Sequence, residues 1–218
     1  MSEIKFVRTR TVKLPERGHP TSAGIDFFVP KFDKEFVDDF IEKNPILYNP
    51  DTNSGTSSIG WSSGTSLTIQ STADTVVNTP KYELDLNDDN NSLIKFDEDK
   101  GKAYIPLAPG SRVLIPSGIY TQMENEGRAL IAFNKSGIAT REGMDLLASV
   151  VDYEYQGEIH LSLKNDSTKV VRIYEDAKIL QFIEMPIFTS DIKEVKDLKT
   201  LYPTKTKRGE GGFSSTGK

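Results

Sequence analysis

Apolar residues in this chain come in brief runs, punctuated by proline and glycine turns such as Pro109-Gly110 and Ser117-Gly118. Runs that short do not make long helices, but they suit strands that cross a small core once and turn back. Ile4–Arg8, Ile25–Val29, Arg112–Pro116, Ile119–Met123, Arg128–Phe133, Glu158–Lys164, Lys169–Ile173 and Lys178–Glu184 are rich in Val, Ile, Leu and Phe and predict strands. Glu158–Asn165 alternates cleanly, with Ile159, Leu161 and Leu163 on one face and His160, Ser162 and Lys164 on the other. The expectation is an all-β barrel or sandwich, with His160 facing solvent and His19 in a loop.

At 218 residues the chain has the length of one large domain, or of one domain carrying an insertion. A net charge of −5 disfavours a broadly basic surface for nucleic acid. The absence of cysteine excludes disulfides, thiol nucleophiles and cysteine-bound zinc, and two histidines leave little room for a histidine metal site. No apolar run is long enough for a membrane span, and Met1–Arg10 has no leader-like apolar segment. The expected setting is therefore the cytoplasm.

Residues 31–102 read as an insertion within the β domain. Phe32, Phe36, Val37, Phe40 and Ile41 recur at helical spacing and Pro45 ends the pattern, which predicts an amphipathic helix over Asp33–Lys43. From Asp51 to Thr79 the chain is dominated by Ser, Thr, Gly and Asn, and buries little apolar surface. A polar stretch follows from Glu83 to Lys102, with a hairpin expected around Asp88–Asn91. The segment 205–218 is glycine-rich and basic, the composition of a flexible arm and also of a phosphate cradle.

Five segments carry chemistry. Ser22-Ala23-Gly24-Ile25-Asp26 sets an aspartate after a glycine turn. Asn134-Lys135-Ser136-Gly137-Ile138-Ala139 offers a cation, a hydroxyl and backbone N–H groups after a strand. Asp152-Tyr153-Glu154-Tyr155-Gln156-Gly157-Glu158 puts a carboxylate and an aromatic on a hairpin. Lys178-Ile179-Leu180-Gln181 carries one amide among apolar neighbours, and Arg208 to Gly217 reads RGEGGFSSTG. In this order they resemble the five motifs of the trimeric dUTPase family, approximately AGxD, [RK]SGxA, xxDxDYxGE, RIAQ and RGxGGFGSTG. The resemblance covers about residues 1–30 and 103–218. The large insertion resembles a phage or viral branch, which would make the setting the host cytoplasm.

The resemblance implies a β-barrel, jelly-roll-like subunit, a homotrimer, and Mg²⁺-dependent hydrolysis of dUTP to dUMP and pyrophosphate, which limits uracil in DNA. It implies that Asp152 activates the attacking water, and that Tyr155 packs on the deoxyribose. Lys135, Ser136, Gly137 and Gln181 would handle phosphates and water, and Asp26 would hold the polar network around the metal's water shell. Arg208, Gly212, Ser215 and Thr216 would hold phosphate, with Phe213 over the uracil. Magnesium would sit on phosphates and waters, without a direct protein ligand. Direct nucleic-acid or membrane binding is not expected, and residues 31–102 offer a surface for a protein partner.

The chain departs from the family pattern at Lys135 and Lys178, where arginine is common, at Glu154 and Ser214, and at Asp145–Ser149 (DLLAS), which lacks the usual glycine or asparagine. Three other functions compete. The related dCTP deaminases read RSSxAR in the second motif, and Gly137 and Thr140 argue against that branch. A dUTPase-fold regulator acting through residues 31–102, or a viral jelly-roll structural protein, leaves the chemical motifs unexplained.

Overall fold

The computed structural model describes residues 3–44 and 93–210. The polar stretch 51–79, the hairpin expected at 88–91, and Gly212, Phe213, Ser215 and Thr216 lie outside the described residues. Two units are present, divided after Ile187.

The first unit is built from twelve short strands: β1 (Ile4–Arg8), β2 (Ile25–Phe28), β3 (Lys95–Asp97), β4 (Lys102–Leu107), β5 (Arg112–Pro116), β6 (Ile119–Met123), β7 (Arg128–Asn134), β8 (Met144–Leu146), β9 (Val150–Val151), β10 (His160–Asn165), β11 (Val171–Tyr174) and β12 (Lys178–Pro186). They form four antiparallel sheets, ordered β1-β6, β5-β10-β8, β11-β4-β3 and β2-β12-β7-β9. The fold is all-β, as the short apolar runs require.

Alternation places the core. Ile159, Leu161 and Leu163 are buried as their spacing predicts, and they meet Val113 and Ile115 of β5 in one apolar cluster. Phe27 and Phe182 pack with ring centroids 4.5 Å apart, and Phe6 closes edge-on at 5.9 Å. His160 departs from expectation. Its ring is half-buried, Nδ1 lies 2.9 Å from the Glu158 carbonyl oxygen, and Nε2 is sealed from water.

The helix α1 (Lys34–Lys43) forms as its spacing predicts. Asp33 caps it by accepting from the Phe36 N–H at 3.0 Å, Lys43 stands in the last turn, and Phe36, Val37 and Phe40 are buried. Asn44 ends it and mimics a strand: its Nδ2 donates to the carbonyls of Phe40 (2.7 Å) and Leu114 (2.8 Å), and its Oδ1 accepts from Leu114 N–H (2.8 Å). The helix is thus bonded to β5, and its apolar face is spent on the core.

The second unit, described to Glu210, contains one helical turn, Leu198–Leu201, capped by Asp197 through the Thr200 N–H and hydroxyl, both at 2.8 Å. Its apolar side chains find little cover. Phe188 is 93% and Ile192 102% exposed, and Leu198, Leu201 and Tyr202 are exposed too.

Candidate active site

The sheet β2-β12-β7-β9 carries four of the five motifs. Asp26 on β2 stands opposite Gln181 on β12, and Gln181 stands opposite Phe133 on β7, so the three share one row across the sheet. β12 is an interior strand, flanked on both sides, so Gln181 is held on a rigid element.

Asp26 is 6% exposed, and a carboxylate so buried needs charge partners. It has two: Lys135 binds Oδ1, and Lys178 Nζ lies 3.3 Å from Oδ2. Lys178 also bonds Glu16 at 3.1 Å, and the Glu16 hydrogen bond, with help from Asp26, holds the Lys178 ammonium above the usual lysine range. Glu16 and Asp26 exchange backbone hydrogen bonds at 2.7 and 3.2 Å, which ties the loop before β2 to the site. The lysines that replace the family's arginines therefore act here as point charges on one buried carboxylate.

Gln181 Nε2 donates to the Asn134 carbonyl at 3.0 Å, and its other end lies on Gly24, where an added Cβ would stand 2.0 Å from Gln181 Oε1. Glycine at 24 is required by this close approach. After β7 the chain turns through Lys135, Ser136 and Gly137 into a π-helical turn, Ile138–Glu142. Ser136 is exposed, and the Arg141 guanidinium lies over Gly137, 2.6 Å from where a Cβ would be. Asn134 Nδ2 donates to Asp145 Oδ1 at 2.6 Å, linking this turn to the DLLAS segment. That amide, with the Leu146 N–H, holds the Asp145 carboxyl below the usual range.

Asp152 follows β9 and is exposed. Its carbonyl accepts from Tyr155 N–H at 3.2 Å, closing a turn, and the Tyr155 hydroxyl donates to the Glu158 carbonyl at 2.9 Å. The hydroxyl end of the ring lies against Gly157, where a Cβ would meet the hydroxyl at 2.4 Å. Tyr153–Gln156, with Thr121 and Gln122 of β6, line an open groove of ≈ 630 Å³.

These two halves do not meet within the chain. β9 pairs with β7 through Leu130↔Val151 and Ile131↔Val150, which brings Asp152 level with Ala129, while Lys135 follows the far end of β7. At about 3.4 Å per residue the separation along the strand is about 20 Å. Arg208 lies in the second unit. Sequence reasoning did not single out Glu16 or Arg141, and it placed Lys178 in the fourth motif without pairing it with Asp26.

The family model for dUTPase matches residues 101–217. The deoxyuridine 5'-triphosphate nucleotidohydrolase of Neisseria meningitidis serogroup B is 32% identical over 115 residues, 52% of this chain and 73% of that protein. The chain belongs to the dUTPase family. The nucleotidohydrolase of the same name from Actinobacillus pleuropneumoniae serotype 3 is 33% identical over 116 residues, 52% of this chain and 74% of that one. Among solved structures, the dUTPase of Staphylococcus bacteriophage 80alpha with dUPNHPP superposes with a TM-score of 0.58 at 16% identity, covering 100% of this chain and 99% of that one. That likeness shows the fold. Residues 1–100, with α1 among them, lie outside the part matched to the dUTPase model.

Proposed function

We propose that the chain hydrolyses dUTP to dUMP and pyrophosphate, in sites that copies of a homotrimer share. The observation that carries this reading is the gathering of Asp26, Gln181 and the Lys135–Gly137 turn at one end of one sheet, with Asp152 and Tyr155 held outward at the other end. Membership of the dUTPase family supports the reaction, and the spacing along β7 supports sites shared between copies.

Asp152 accepts a proton from water, whose oxygen bonds to the α-phosphorus as the bond to the bridging oxygen breaks and pyrophosphate leaves. Base, water and phosphate must stand within two hydrogen-bond lengths, about 6 Å in all. A phosphate held by Ser136 and Gly137 of the same copy is too far away, so the Asp152 hairpin serves the phosphate turn of a neighbouring copy. The exposed Phe188, Ile192 and Tyr202 fit an arm that packs on another subunit. Arg208, Gly212, Ser215 and Thr216 then hold phosphate, and Phe213 covers the base.

Among the described residues no three His, Cys, Asp or Glu side chains converge as a metal cage, and Asp26 is committed to two ammonium groups. This donor set fits a Mg²⁺ ion held by triphosphate oxygens and water, where it supplies neutralisation of phosphate charge. Tyr155 packs on the deoxyribose and rejects a 2′-hydroxyl. Gln181, anchored on the Asn134 carbonyl, orients water and phosphate. Among the described residues no helix is long and apolar enough to cross a membrane, in keeping with a cytoplasmic enzyme.

The test is pyrophosphate release from dUTP, compared with UTP, dTTP and dCTP, with and without Mg²⁺. The expected result is Mg²⁺-dependent release that is far faster from dUTP than from UTP, dTTP or dCTP. Conversion of dCTP to dUTP or dUMP would instead place the chain with the deaminases.

A further inference from the structure

The Arg10 side chain is only 8% exposed, yet Nε and Nη1 are sealed from water and make no hydrogen bond among the described residues. Nη2 donates to Asp39 of α1. Nε stands 3.6 Å from Glu158 Oε1, and Nη1 stands 3.8 Å from Glu35 Oε1. Three carboxylates therefore face one buried guanidinium, which is bonded to the helix and only approached by Glu158. Gly118 closes the remaining side. An added Cβ there would meet the Arg10 stem at 2.7 Å, and the Gly118 N–H donates to Glu158 Oε1 at 2.6 Å.

Glu158 is also the residue whose backbone carbonyl accepts from the Tyr155 hydroxyl. Its side chain faces Arg10, and its carbonyl faces both Tyr155 and His160 Nδ1, so Glu158 is in contact with the guanidinium on one side and the tyrosine hydroxyl on the other. Gly157 lies between Tyr155 and Glu158 in the chain, and its lack of a side chain lets the hydroxyl end of the Tyr155 ring lie against the backbone there, where an added Cβ would stand 2.4 Å from the hydroxyl.

We propose that Arg10 and Asp39 are positioning residues for Tyr155, so that the helix of the insertion sets how strictly the site selects deoxyribose over ribose. Asp39 holds the guanidinium, the guanidinium sets the Glu158 side chain, and the Glu158 carbonyl fixes the hydroxyl end of the sugar platform. The inference rests on the dUTP reading above. It adds to it that an element outside the matched family region acts on substrate choice.

The experiment measures kcat and KM for dUTP and UTP on the full chain, unaltered and carrying Asp39→Asn, Arg10→Met, Tyr155→Phe, or Asp39→Asn with Tyr155→Phe. Asp39→Asn is expected to lower the dUTP-over-UTP ratio of kcat/KM about tenfold, chiefly through KM, while the melting temperature moves by no more than a few degrees. Arg10→Met does the same or more. Should it fail to fold, Asp39→Asn carries the test. In the Tyr155→Phe background Asp39→Asn adds no further loss, because the hydroxyl it acts through is gone. An unchanged ratio in Asp39→Asn, or an equal loss in both backgrounds, overturns the positioning role and leaves the hydrolase reading standing. Intact dUTP with the unaltered chain overturns both.

Discussion

Asp152 and Lys135 lie at opposite ends of β7. The Leu130↔Val151 pairing sets Asp152 beside Ala129, and Lys135 begins the turn after Asn134. A strand is a stiff spacer, so no side-chain rotation closes a gap of about 20 Å between them. The group that would take the proton and the turn that would hold the phosphate are therefore two ends of one body. They can serve one substrate when one copy offers its hairpin and another offers its turn.

Gly24→Ala tests the seat of Gln181. A methyl there overlaps the Gln181 amide, which must swing away and release the Asn134 carbonyl. Overpacking of this kind costs about 1–3 kcal/mol. The expected outcome is a folded protein whose kcat for dUTP falls at least about tenfold, since misplacement near the chemistry is costly. Steady-state kinetics and a thermal melt check it, and an unchanged kcat removes Gln181 from the site.

Asn44→Ala tests how firmly α1 is bonded to the β core. The substitution strands the Leu114 N–H and carbonyl, both of which Asn44 satisfies. Buried groups left unpaired cost about 1–3 kcal/mol each, so a melting temperature lower by about 5–15 °C is expected. A shift within about 1 °C would mean that water replaces the amide and the helix end is loosely docked.

Acid stability should depend on Asp97. Its carboxylate accepts from the Tyr174 hydroxyl (2.6 Å), the Lys100 N–H (3.2 Å) and Arg172 (3.0 Å), and the Tyr174 bond chiefly holds it below the usual aspartate range. A carboxyl lowered in the folded state adds stability above its unfolded value, near 3.9, and loses it as pH falls through the folded value. The unaltered chain should therefore melt higher than Asp97→Asn at pH 7, and the gap should narrow as pH drops from about 4 to 3. Melts at pH 7, 5 and 3 check the sign. A gap that widens in acid contradicts it.

Removal of everything after Lys207 should leave the melting temperature and the oligomer mass unchanged while dUTP hydrolysis falls by orders of magnitude. Fixing a residue's backbone costs about 1–2 kcal/mol, and this glycine-rich stretch has one large apolar group, Phe213, to offset it. Phosphate contacts would supply the compensation once nucleotide is bound, and the truncation tests that proposal. Near-normal hydrolysis by the truncated chain contradicts it, and loss of the oligomer makes the arm structural.

The eight expected strands and α1 were legible because each has an apolar period that its sheet or helix needs. β4 was not, since Pro106 argues against a strand. It is tolerated because β3 pairs only as far as Tyr104, which leaves Pro106 on an open edge. β3, β8 and β9 are too short to show alternation. At the site, Asp26, Lys135 and Gln181 were legible as motif members. The pairing of Lys178 and Glu16 with Asp26 was not, because charge pairs distant in sequence leave no local pattern. The separation of Asp152 from Lys135 is a matter of strand register, which only the folded sheet reveals.

The central claim, a site shared between copies, is tested most directly by complementation. Asp152→Asn chains lack the base, and chains carrying Ser136→Ala with Gln181→Ala lack the phosphate and water groups. Each alone should turn over dUTP at least about 10²-fold more slowly than the unaltered chain. Co-expressed as mixed assemblies, they should recover about a quarter of full activity, the share of sites that random assembly builds from two intact halves. Mixed assemblies of proven composition that stay as inactive as their parents would contradict the account.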